Sequence, residues 1–139
     1  MKFIIIAIAL FILLIGISMN KDYSRVIING DKINLEVVTS IEDQKRGLSN
    51  RDLLDYDTGM LFLYEDSKRR SFWMKEMRFS IDILWIDENN TIIGIEESVS
   101  PDSFPERFVS PKPVSFVLEL VGGWSKEHGL KIGDTVEFG

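Results

Sequence analysis

Ser71-Phe72-Trp73-Met74-Lys75-Glu76-Met77, followed after three residues by Ile81-Asp82-Ile83-Leu84-Trp85-Ile86-Asp87, is the stretch that decides the fold. Big apolar side chains dominate both runs, and both read as strands. Lys75 and Asp82 intrude on them, and an unpaired buried charge costs several kcal/mol. In the first strand Trp73, Lys75 and Met77 share a face; in the second, Asp82, Leu84 and Ile86 do. The short Arg78-Phe79-Ser80 connection predicts antiparallel pairing of the two, which brings Lys75 to Asp82. The other structural reading of Asp82 is a carboxylate accepting backbone N–H bonds from a turn.

Working outward, Val26–Ile28 and Ile33–Val38 read as strands joined at Asn29-Gly30-Asp31, because Asn and Gly accept the positive φ of a type I′ turn. Ser40-Ile41-Glu42-Asp43 fits a capping box and predicts a helix over Ile41–Leu48, weakened at Gly47. Further strands are expected at Met60–Tyr64, Arg70–Met77, Ile81–Ile86, Thr91–Glu97, Val114–Val121 and Thr135–Phe138. Ser100–Pro113 holds all four prolines and reads as a loop. Trp124–His128 reads as a second short helix closed by Gly129. The expected class is therefore mainly β (α+β): a small closed or nearly closed β-barrel of seven or eight short strands with two short helices. A two-layer α+β sandwich is the alternative.

The chain has 139 residues, enough for one ordinary domain. After Lys2 an apolar run extends from Phe3 to Ile17 with no polar face, and no charge follows until Lys21. As a helix, Phe3 to Met19 would span roughly 25 Å, slightly less than a hydrocarbon core. Residues 1–19 thus read as a signal peptide, with Gly16-Ile17-Ser18 before the cut, or as an uncleaved membrane anchor. Residues 20–25 read as a linker, and 26–139 as a single globular domain lying in the periplasm or at the cell surface. There is no cysteine, which excludes a lipid-modified cysteine anchor, disulfides and thiolate chemistry. Without the leader, 15 basic residues face 22 acidic ones, a balance that disfavours nucleic acid as a partner. The cluster Lys68-Arg69-Arg70 is the local exception and reads as a solvated turn.

Certain residues recur in a recognisable order: Arg46-Gly47-Leu48, Arg51, Gly59-Met60-Leu61-Phe62, Phe72-Trp73-Met74-Lys75, Asp82-Ile83-Leu84, Val117-Leu118-Glu119-Leu120, Gly122-Gly123 and Gly133-Asp134. In this combination, over roughly residues 25 to 138, the chain resembles the DUF192 family of small, often exported bacterial and archaeal proteins. The resemblance implies a compact β-rich domain and no particular activity. The resemblance departs at one place: the family usually has Asn and a small polar residue after the Lys, where this chain has Glu76-Met77.

Five charged residues inside these apolar motifs form the candidate site: Arg46, Arg51, Lys75, Asp82 and Glu119. One reading makes Arg46 a structural clamp on Glu119 or Asp82. The other lines a shallow polar pocket with all five, the cations facing an anion. Trp73 and Trp85 read as core, whereas Trp124, just after Gly122-Gly123, reads as the exposed indole. His128 is the sole histidine and reads as a solvated helix end. No nucleophile elbow, nucleotide-binding glycine pattern or zinc-ligand spacing occurs, so no catalytic residue, metal or cofactor is expected.

The function expected on these grounds is an envelope binding or accessory module. It would take a small anionic or sugar ligand, or an envelope protein, with the membrane reached through the N-terminal segment. The alternative is an envelope-glycan hydrolase using Asp82 and Glu119 as paired carboxylates.

Overall fold

The computed structural model describes residues 21–139. The leader or anchor expected at 1–19 lies outside the described residues, as does the first residue of the linker. Among the described residues no helix is long and apolar enough to cross a membrane.

The described residues open with β1 (Arg25–Ile28) and β2 (Asp31–Val38), antiparallel across the expected hairpin. Asn29 and Gly30 have φ of 51° and 87°, the values a type I′ turn requires. Helix α1 (Ile41–Arg46) follows, and the Ser40 hydroxyl accepts the Asp43 N–H at 3.1 Å. It stops before Gly47, whose φ of 48° ends the helix two residues earlier than expected. The α1 segment is a crossover, so that β3 (Thr58–Lys68) lies parallel to β2.

Strands β5 (Ile81–Ile86) and β8 (Val114–Val121) have the expected boundaries. Between them in sequence comes β6 (Ile92–Val99), entered by the Asp87–Asn90 turn. Helix α2 (Trp124–Glu127) and β9 (Val136–Phe138) complete the chain. The main sheet has the order β6-β5-β8-β3-β2-β1-β9. Its two edges meet at a Thr91–Thr135 bridge, reinforced by bonds such as Ile92 N–H to the Asp134 carbonyl at 2.8 Å. The sheet is thus a strongly curled half-barrel tied edge to edge at one end, with two short α-helices among the described residues.

Two expectations fail. Arg70–Met77 is not one strand: only β4 (Ser71–Phe72) is extended, and it pairs with β7 (Phe108–Val109) in a separate ribbon. Residues 73–80 are irregular, with a turn at Lys75-Glu76 in which Met77 N–H bonds back to the Met74 carbonyl. The Ser100–Pro113 segment is correspondingly not all loop, because it contributes β7 and a single 3-10 turn at Pro101–Ser103.

The period of two along each strand divides the core. Leu61, Leu84, Ile86, Phe116, Leu118 and Leu120 point inward, where Trp124 and Leu130 pack against the same cluster. Met60, Phe62, Ile81, Ile83, Trp85 and Val117 point outward. This second face is not solvated. Leu48, Phe72, Met74 and Met77 cover it, delivered by the segments after α1 and around β4. The cover is incomplete, and the gap in it positions the site.

A candidate ligand cleft over a buried glutamate

A cleft of about 620 Å³ opens between α1 with its following loop, the 71–77 segment and the outer face of the sheet. Phe62, Tyr64 and Glu119 belong to the sheet beneath it, and Phe72 and Met77 form an apolar wall. Lys45, Arg46, Lys75 and Arg107 reach its rim. The walls are stitched together. The Ser49 hydroxyl donates to the Lys75 carbonyl at 2.9 Å, and Asn50 N–H donates to the Glu76 carbonyl at 2.8 Å. Asn50 and Glu76 both hold positive φ, 63° and 58°, a conformation that costs an L-residue energy unless its surroundings impose it.

Glu119 sits centrally on β8, between Met60 of β3 and Ile83 of β5. Only 5% of its surface is exposed, and among the described residues its Oε2 finds no hydrogen-bond donor. Burial pushes its pKa up to about 8, against a weaker downward pull from Arg51, so the carboxyl is protonated at neutral pH. Arg51 does not reach it as an ion pair. Both guanidinium arms are bound to the Glu36 carboxylate at 2.7 Å, a bidentate fork. Tyr64 is also pushed up to about 12, chiefly by burial, with Arg70 stacked on its ring at 3.8 Å.

Asp82 lies on the other side of the same sheet. Its register partner is Leu120, an inward residue, whereas Glu119 pairs with Ile83, an outward one. The Asp82 Oδ1 accepts N–H groups from Ser98 at 2.7 Å and Gly123 at 2.9 Å, and Oδ2 accepts that of Ser125 at 2.7 Å. The carboxylate therefore ties β6 to the glycine turn and the start of α2, the backbone-acceptor role that the sequence allowed. Gly122 fits there because a Cβ would lie 2.9 Å from the Ser80 carbonyl oxygen.

The five expected residues therefore separate. Arg46, Lys75 and Glu119 line the cleft. The expected Lys75–Asp82 pair does not form, because the strand meant to carry Lys75 turns away and its ammonium lies 5.6 Å from the Trp73 ring. Arg46 clamps neither Glu119 nor Asp82 but lies 3.4 and 3.6 Å from Asp43 and Glu42 of its own helix. The paired-carboxylate arrangement is likewise absent, since a sheet separates Asp82 from Glu119 and a hydrolase needs both flanking one bond.

The indoles exchange their expected places. Trp124 is buried at 2% exposure and stacked on His128 with centroids 3.7 Å apart. Trp73 is 39% exposed, beside Phe104 and Arg107. Sequence reading did not find Lys45, Tyr64, Glu76 or Arg107. Arg107 carries no local signal, since it lies in the proline-rich segment and reaches the cleft only through the β4–β7 ribbon.

The profile of the DUF192 family, described as an uncharacterized ACR, matches residues 24–138. The chain belongs to the DUF192 family. No curated protein matches it. Among solved structures, this DUF192 chain is similar to a protein from Sinorhizobium meliloti 1021 described as a candidate transcription regulator. The two are 30% identical with a TM-score of 0.77, covering 88% of this chain and 97% of the other. It is also similar to a protein of unknown function from Novosphingobium aromaticivorans DSM 12444, at 26% identity and a TM-score of 0.78. That likeness covers 82% of this chain and 84% of the other.

Proposed function

We propose that this DUF192 domain is a non-catalytic binding module whose cleft takes a small anionic ligand. The observation that carries the reading is the composition of the cleft: Lys45, Arg46, Lys75 and Arg107 at the rim over an apolar wall, with an uncharged Glu119 beneath. Cations at the mouth of a partly apolar concavity attract and orient an anion, while the wall supplies the contact area. Of the carboxyls on this face Glu119 is neutral and Glu36 is forked onto Arg51, while Glu76 belongs to the cleft wall; with no histidine or thiol in the lining, the arrangement gives little for acid–base or nucleophilic chemistry. The regulator description of the Sinorhizobium protein is not carried over as DNA binding. The net charge of −6 opposes a phosphate backbone.

The reading includes an extracytoplasmic location, supported by Lys2 and the apolar run from Phe3 to Ile17, with residues 1–19 as cleaved signal or anchor. Intact-mass measurement of membrane-purified protein tests the leader. The ligand reading is tested by amide NMR with galacturonate, benzoate and inorganic phosphate added in turn. Shifts confined to Gly47, Trp73, Lys75 and Glu119 are expected for at least one. Their absence for all three, or shifts elsewhere, would discard the reading.

A further inference from the structure

The geometry points to a ligand of two unlike ends: an anionic group held at the cationic rim and, toward the sheet, an uncharged hydrogen-bonding group such as a hydroxyl or carbonyl that meets Glu119. This rests on the reading of the cleft as an anion site and specifies its ligand class. Glu119 is buried, its Oε2 has no donor among the described residues, and it is the one carboxyl that the sheet presents beneath the cleft. A buried polar group without a partner is costly, and a ligand supplying that partner recovers the loss on binding.

The charge of the inner end follows from what surrounds Glu119. From the sheet it faces apolar Met60 and Ile83, together with Tyr64, itself pushed toward its neutral form. From the loop after α1 comes Arg51, already forked onto Glu36. The charges of Lys45, Arg46, Lys75, Glu76 and Arg107 stand at the cleft's lining from α1, the 71–77 segment and the approach to β7. A neutral carboxyl in such a place offers one O–H donor and one acceptor, matching a hydroxyl. An anionic inner end would add a buried charge with no cation bound to it. A cationic one would have to ionise Glu119 beneath a rim that repels it.

Three probes of equal length separate these cases: 4-(hydroxymethyl)benzoate, terephthalate and 4-(aminomethyl)benzoate. They share the rim carboxylate and differ at the inner end. Binding to the full-length protein is followed by amide NMR. At about pH 6 the hydroxymethyl probe is expected to bind about tenfold tighter than the other two. Its affinity is expected to fall above about pH 8 in the wild type, as Glu119 ionises, and to stay level in Glu119→Gln. Glu119→Leu, checked for native amide dispersion, is expected to lose about tenfold for that probe. Equal binding of the three probes at the cleft, or the ammonium probe binding best, would overturn the inference and leave the anion reading standing. Binding of none would overturn the inference, and the anion reading with it where galacturonate, benzoate and phosphate also leave the cleft amides unshifted.

Discussion

Glu36 and Glu119 stand in one row across the sheet, each registered against Met60 of β3, and only Glu36 holds Arg51. Two carboxyls on the same face are therefore kept in opposite states. Glu36 is held below the ordinary range, chiefly by the hydrogen bonds from Arg51, whereas burial lifts Glu119 to about 8. The Glu36–Arg51 pair is half exposed and contributes at most about 1 kcal/mol to stability. Its larger consequence is where it parks the guanidinium. Glu36→Ala releases Arg51 toward the one remaining acid of the row. A carboxyl-carbon NMR titration is expected to show Glu119 ionising at lower pH in that variant. An unchanged or raised midpoint would mean that Arg51 is held in place by something other than Glu36.

The same burial makes stability depend on pH. Glu119 titrates near 4.5 when exposed and near 8 in the folded chain. Between those values the folded state keeps a proton that the unfolded state has released, so this group's contribution falls as pH rises and levels off above about 8. The slope for one group approaches about 1.4 kcal/mol per pH unit. Glu119→Gln removes the titration while keeping size and a donor. Urea unfolding at several pH values is expected to show the variant gaining on the wild type from about pH 5 to about pH 8. Parallel profiles would show that Glu119 is not held neutral.

Asp82 carries the opposite prediction. It accepts three backbone N–H groups from two separate segments, and truncation would leave three donors without a partner in a closed corner. Asp82→Ala is expected to cost about 4 kcal/mol, read as a fall in the urea midpoint. Lys75→Ala, which removes the partner expected from sequence, is expected to change stability by no more than about 0.5 kcal/mol. A large loss on Lys75→Ala would reinstate the ion pair.

What the sequence shows of this fold, and what it hides, follows from range. The β1–β2 hairpin and the full extents of β5 and β8 were legible, because period and turn residues are local signals. Arg70–Met77 was misread because Met74 and Met77 enter the outer core from turns, and an apolar side chain looks alike in sequence whether its backbone is extended or folded back. The parallel β2–β3 pair sets the row of Glu36, Met60 and Glu119, yet no residue near Glu36 announces it. Glu119 itself was visible as a charge inside an apolar strand. Its lack of a partner was not, since that depends on Arg51 being taken by a residue 15 positions away.

Glu76 offers a test of the cleft wall. Its φ of 58° lies in the left-handed region, where Asn and Gly are favoured over Glu. The Glu76 side chain receives one exposed bond from Asn50 Nδ2 at 3.2 Å, a weak offset. Glu76→Asn relieves the backbone and removes a negative charge from among the rim cations. Thermal or urea unfolding is expected to show a gain of about 1 kcal/mol, since the left-handed penalty is of that order. The same substitution is expected to tighten binding of 4-(hydroxymethyl)benzoate two- to fivefold, roughly what one like charge near a solvated rim contributes, and less at high salt. Greater stability without tighter binding would confine Glu76 to shaping the turn and move the anion's seat away from the 71–77 wall.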